Sequence, residues 1–294
     1  MLPAANELAG SIPEEVSFLD HLEILILQYN PNLAGPLPIG VKNMANLRHL
    51  ALQHNSLTGT LPDWIGQMTN LEFLGLGSNN LTGSVPTSIG SLTNLAVLGL
   101  DGNSLSANIE LFYPLSKLNS LFLQDNIITG HISDALMASW PDMEELDLSG
   151  NMIEGQLGDD LFDFLGLRIL DLHGNLIQGT IPNKFQNTNL ELLALYDNKL
   201  VSTVPSTIAL LTNLKHLDLS NNALTSTLPA SLGTMTQLEY LFVGTNPFTA
   251  GRIPNFLSSL TNLQELSMKG NRLTGQIPPF LHYLTKLQVL DLRK

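Results

Sequence analysis

Cysteine is missing from all 294 residues, so disulfide staples, thiolate nucleophiles and cysteine-held metals lie outside this chain's chemistry. That absence fits a cytosolic chain, and equally a secreted repeat array whose end caps lie elsewhere. Basic residues are scarce, 13 against 26 acidic, and the formal net charge of −13 disfavours nucleic acid and anionic membrane surfaces as partners. No run approaches about 18 uninterrupted apolar residues, so no membrane-inserting helix is expected. The opening residues Met1 to Ala5 lack the basic region and apolar core of a signal peptide. The enzyme motifs G-x-S-x-G, H-E-x-x-H and G-x-x-x-x-G-K are absent as well. The seven histidines are scattered. Asp147, Asp171 and His173 come nearest to a metal set, but with no enclosing pocket in prospect no metal, cofactor or catalysis is expected.

What the chain has instead is a period. Asparagines recur at intervals of 23 to 25 residues from Asn6 onward: Asn30, Asn55, Asn79, Asn103, Asn126, Asn151, Asn175, Asn198, Asn222, Asn246 and Asn271. Each closes the apolar phrase L-x-x-L-x-L-x-x-N, as in Leu71, Leu74, Leu76, Asn79. A fixed period in this range is the signature of a solenoid, and this phrase is that of leucine-rich repeats. Leu74 and Leu76 alternate with Phe73 and Gly75, the period of a strand with one buried face. Leu71, Leu74, Leu76, Leu81, Val85, Ile89 and Leu92 mark the apolar slots of one coil. Burying these seven aliphatics does not offset the ordering of some two dozen backbone residues, so a coil folds only when stacked on others. The asparagines have a structural reason to recur: an amide both donates and accepts, and bridges backbone groups left where the chain turns after the strand.

The second half of the coil is more specific. Leu81-Thr82-Gly83-Ser84-Val85-Pro86 is matched at Leu57 to Pro62 and Leu273 to Pro278, and more loosely at Leu8 to Pro13 and Leu224 to Pro229. This L-T-G-x-I-P phrase resembles the plant-type leucine-rich repeat of receptor-like kinases, receptor-like proteins and polygalacturonase-inhibiting proteins, over essentially the whole chain. The resemblance implies an α/β repeat solenoid. A parallel sheet lines its concave face, with short helical turns and extra short strands on the convex side, and the stack forms a right-handed superhelical horseshoe. Residues 1–294 read as one continuous domain of about 12 repeats of about 24 residues. Both terminal repeats look truncated and the cysteine-bracketed caps usual in the family are missing, so the chain is expected to be a piece of a longer protein. The implied function is non-catalytic: the ligand-sensing region of a cell-surface receptor-like protein or kinase, binding a protein or peptide, with a co-receptor as a further partner. The alternative is a soluble scaffold or enzyme-inhibitor-like protein without a membrane anchor, cytoplasmic or secreted.

The residues between the strand leucines face outward and map the binding surface. Asp101, Asp125, Glu145, Asp147, Asp171, Asp197 and Asp218 form an acidic belt on the central strands, interleaved with Phe122, His173, Tyr196 and His216. Phe73 precedes the belt; Tyr240 and Phe242 follow it. Such a surface suits a basic peptide or an Arg/Lys-rich loop. A competing reason for Asp before S-G-N or H-G-N is local satisfaction of turn donors. After Asn103, Asn126 and Asn151 the proline is lost, at Ile109-Glu110, Ile132-Ser133 and Leu157-Gly158, which reads as repeat drift. Asn80-Leu81-Thr82 is the one glycosylation sequon. A threonine array at Thr58, Thr82, Thr129, Thr225 and Thr274, of the kind that recognises ice or a mineral, is interrupted by Ser106, Glu154 and Gln178.

Overall fold

The computed structural model of the chain describes residues 6–134, 138–159 and 161–294. It contains two compact units. Unit 1 comprises Met1–Gly130, Ala138–Met143 and Asp147–Met152; unit 2 comprises His131–Met137, Glu144–Leu146 and Ile153–Lys294.

In both units the L-x-x-L-x-L phrase folds as a short strand, and successive strands pair in parallel in sequence order. Unit 1 holds Ile24–Ile26, His49–Ala51, Phe73–Gly75, Val97–Gly99 and Ser120–Phe122. Unit 2 holds Ile169–Asp171, Leu192–Ala194, His216–Asp218, Tyr240–Phe242, Glu265–Ser267 and Val289–Asp291. These are the main ladders. The L-T-G phrase adds a second ladder behind them: Ala9–Gly10, Asn32–Gly35, Ser56–Thr60, Asn80–Ser84, Ser104–Asn108 and Ile127–Thr129 in unit 1, and Gln178–Thr180, Lys199–Ser202 and Ala223–Leu224 in unit 2. The architecture is the leucine-rich-repeat solenoid that the resemblance implies.

The apolar slots form the core. Leu71, Leu74, Leu76, Leu81, Ile89 and Leu92 are 0% exposed, and Val85 only 5%. Eight prolines of the second phrase, Pro13, Pro38, Pro62, Pro86, Pro205, Pro229, Pro254 and Pro278, each precede a 3-10 turn of five residues. Proline supplies the extended backbone that starts the turn and has no N–H to leave unpaired. In the drifted copy the turn survives at Ile109–Phe112 by another route: the Asn108 side chain accepts from the Glu110 N–H at 2.9 Å. Here the core also changes from aliphatic to aromatic. Phe112 and Trp140 in unit 1 are fully buried, and the indole Nε1–H donates to the Phe112 carbonyl at 3.2 Å. In unit 2 the Phe162 and Phe185 rings pack with centroids 4.6 Å apart.

The recurring asparagines tie each coil to the one before. Asn79 Nδ2 donates to the carbonyls of Leu76 in its own coil and Leu52 in the preceding one, both at 3.0 Å, while its Oδ1 accepts from Leu57 N–H at 2.9 Å. Asn103, Asn126, Asn151, Asn222 and Asn246 repeat the pattern. The residue before each of these asparagines adopts a left-handed backbone. It is Tyr29, His54, Ser78, Asp125, Asp197, Asn221 and Thr245 in seven coils and Gly102, Gly150, Gly174 and Gly270 in four, with φ between 49° (Asn221) and 68° (Gly270). A non-glycine side chain there costs about 1 kcal/mol or more, and the turn beneath the leucines requires the conformation all the same.

Candidate functional site

Alternation along the main ladder turns one side chain of each pair outward, and register sets these side by side at about 4.8 Å. The sequence-derived candidates divide between the units. Phe73, Asp101, Phe122, Asp125 and Asp147 belong to unit 1; Glu145, Asp171, His173, Tyr196, Asp197, His216, Asp218, Tyr240 and Phe242 belong to unit 2.

Unit 2 brings most of its set together. One row runs Asp171, Ala194, Asp218, Phe242, Ser267, Asp291; the adjacent row runs Ile169, Leu192, His216, Tyr240, Glu265, Val289. Ala194, 3% exposed, is too small to rise between Asp171 and Asp218, so the two carboxylates flank a trough roughly two strand spacings wide. The His216 imidazole sits beside it, its ring 5.5 Å from both Tyr240 and Phe242. Burial pushes the His216 pKa below its ordinary 6.5, against the opposing pull of Asp218, Asp171 and Glu265. Burial likewise raises Asp218 above 3.8, partly countered by hydrogen bonds from Ser220. One strand-end further on, the His173 ring lies on Tyr196, with centroids 4.2 Å apart and planes 7° from parallel. Its Nδ1 is 2.7 Å from Asp171 Oδ1. An open depression of about 580 Å³ continues this face, lined by Tyr196, Asp197, Asp218, Phe242, Glu265 and Lys269 among others.

Several of these carboxylates have partners in their own turn. Asp147, Asp171, Asp218 and Asp291 each accept from the backbone N–H two residues on, at Ser149, His173, Ser220 and Arg293. The local turn role of aspartate is therefore present at these positions alongside any binding role. Asp291 is the most committed: the Arg293 guanidinium, at 2.9 and 2.8 Å, holds its pKa down to about 2.

Unit 1 presents a different face. Phe73 stacks loosely with His49 at 5.9 Å, and Tyr29 stacks on His54 at 4.5 Å. Small Ala51, Gly75 and Gly99 form a row beside Phe73. Asp101 leans over Gly77, where a Cβ would fall 2.0 Å from its Oδ1, so a larger residue there would push the carboxylate aside. Burial raises the Asp101 pKa, with Asp125 adding to the rise, while His54 and Ser78 oppose it. Gly77, Ser220 and Asn221, whose side chain donates to the Asp197 carboxylate, gave no signal in the sequence, because their importance lies in which neighbour leans on them. Among the described residues no group of three or more His, Asp or Glu is placed to hold a metal ion, the Asp147–Asp171–His173 set included.

Residues 146–294 match the family described as "Leucine-rich repeat region", and residues 41–105 match "Leucine rich repeat". The chain belongs to the leucine-rich repeat family. Among solved structures, it is similar to the Arabidopsis receptor kinase HAESA in complex with the peptide hormone IDA and the co-receptor SERK1, at 30% identity and a TM-score of 0.79. It is also similar to the plant peptide hormone receptor RGFR1 in complex with RGF2, at 28% identity and a TM-score of 0.78. The match covers 99% of this leucine-rich repeat chain and 53% of HAESA, and 98% of this chain and 54% of RGFR1. The chain thus spans about half the length of the receptor structures it matches. A plant ice-binding protein is similar at 28% identity and a TM-score of 0.67, over 82% of this chain and 79% of that one.

Proposed function

We propose that this chain is the ligand-sensing, non-catalytic part of a cell-surface receptor-like protein, and that the main-ladder face of unit 2 takes a basic peptide segment. The observation that carries the reading is the pair Asp171 and Asp218 flanking Ala194, with the His216, Tyr240 and Phe242 rings alongside. Carboxylates on either side of a trough attract a cationic side chain, and the aromatic rings give its aliphatic stem a surface to cover. The likeness to receptors bound to peptide hormones supports a peptide partner and a co-receptor, and with them an extracellular location. Probing a synthetic array of random peptides with the chain tests the reading. Enrichment of Arg and Lys in the retained peptides supports it. Enrichment of acidic peptides, or none, overturns it.

A second reading rests on another face. The second ladder of unit 1 carries no charged side chain on Ser56–Thr60, Asn80–Ser84 or Ser104–Asn108. Ser106 leaves the hydroxyl run there unbroken, and the interruptions at Glu154 and Gln178 fall in unit 2. With the likeness to a plant ice-binding protein, this face supports adsorption to ice. Thermal hysteresis of the purified chain tests it, and a freezing point equal to the melting point discards it.

A further inference from the structure

The structure assigns Asn80 as the attachment point of an N-linked glycan. Asn80-Leu81-Thr82 is the single N-x-S/T sequence in the chain. Its geometry separates it from the ladder asparagine beside it. Asn79 is buried, and its amide is consumed by Leu52, Leu76, Gly77 and Leu57. Asn80 is exposed. The two-residue period of the Asn80–Ser84 strand drives Leu81 fully into the core and turns Asn80 and Thr82 out on one face. Thr58 is the neighbour abreast of Asn80, and Thr60 and Ser104 lie abreast of Thr82. All are short and uncharged, so a first sugar on Asn80 meets neither a bulky side chain nor an ion pair.

The step balances without a redox partner. A lipid-linked oligosaccharyl diphosphate is the donor. Its anomeric C–O bond breaks as the Asn80 Nδ2 bonds to the anomeric carbon; the lipid diphosphate leaves with the electron pair, and the amide gives up one proton. The Thr82 hydroxyl, 3.5 Å from the Gly59 carbonyl, is held too loosely to be withdrawn from the acceptor sequence. The glycan then covers the hydroxyl face of unit 1, leaving the main ladder uncovered for a ligand. Glycosylation at Asn80 and ice adsorption on that face exclude each other.

This inference rests on the cell-surface reading, because donor and transferase work in the secretory lumen. The test is to recover the protein from the cells that make it, score it as extracellular or intracellular by protease accessibility, and digest it with a peptide-N-glycosidase in heavy-oxygen water. Extracellular protein that loses the mass of one oligosaccharide and gains labelled aspartate at position 80 supports the inference. Asn80→Gln and Thr82→Ala should then migrate at the deglycosylated position, while Thr82→Ser keeps the glycan. Extracellular protein unmodified at Asn80 overturns the inference and leaves the receptor reading standing. Protein confined to the cytoplasm overturns both.

Discussion

The imidazole of His173 lies flat against the phenol ring of Tyr196, and on its other edge Nδ1 meets the Asp171 carboxylate. A ring held on two sides fixes the position of Asp171 at the trough. Tyr196→Ala removes the stacking partner and is expected to cost about 0.5–1.5 kcal/mol of stability, read by urea denaturation. The same variant should weaken a basic peptide retained by unit 2 more than one retained elsewhere. Equal affinity in variant and parent would show that the stack does not shape the trough.

The carboxylates make a charge prediction. Asp171→Asn with Asp218→Asn keeps the shape of the trough and removes its charge. Titration of an Arg-rich peptide should show weaker binding and a flatter dependence on salt concentration. Unchanged affinity would move the basic ligand off this face.

The left-handed slots predict stabilising glycines. Thr245 (φ 55°) is β-branched in a conformation that suits glycine, and Ser226 (φ 66°) stands where Gly59 and Gly83 stand in other coils. Thr245→Gly and Ser226→Gly should each raise stability by about 0.5–1 kcal/mol, the relieved strain exceeding the added chain entropy. A lower unfolding midpoint in either variant would contradict the strain argument.

Loss of a ladder amide should act in the other direction. Asn79→Ala strands the Leu57 N–H and the Leu52 and Leu76 carbonyls in a dry interior. A loss of about 2–3 kcal/mol is expected in chemical denaturation, against a fraction of that for the neighbouring exposed Asn80→Ala.

His216 sets a pH dependence. Its pKa is lowered in the fold, so the unfolded chain takes up a proton first as pH falls through 6.5. The His216 contribution is fully present above pH 6.5 and is lost on acidification from there down through its folded pKa. Asp218, with its pKa raised, acts oppositely: its contribution favours the fold below pH 3.8 and fades as pH rises through its folded value. Melting temperature followed from pH 7.5 to 5 should fall, and His216→Gln should flatten that slope. An identical slope in the variant would assign the effect to other groups.

The repeat frame was legible because its causes are local and recur every coil. The Asn spacing, the alternation around Leu74 and the proline before most of the 3-10 turns each follow from one backbone requirement. The outward rows were legible for the same reason. The stacking of His173 on Tyr196 was not, since it depends on rotamers set by neighbouring coils. Nor was the dual use of Asp147, Asp171 and Asp218 as turn acceptors resolved, for the sequence offers a turn and a binding role with equal force. The buried aromatics, Phe112 with Trp140 in unit 1 and Phe162 with Phe185 in unit 2, were also missed, since which side chains meet in a core is visible only once the coils are stacked.

The ladder asparagines Asn79, Asn103 and Asn222 each bond to their own coil and to the one before it, and coils of this common pattern present their neighbours with the same donors and acceptors. Within a unit, excising or duplicating a whole repeat of that common pattern leaves matching joints on both sides, while deleting a single residue breaks them. Unequal recombination between repeats can therefore lengthen or shorten the array without redesigning its interior, and the exposed positions are free to diversify from copy to copy.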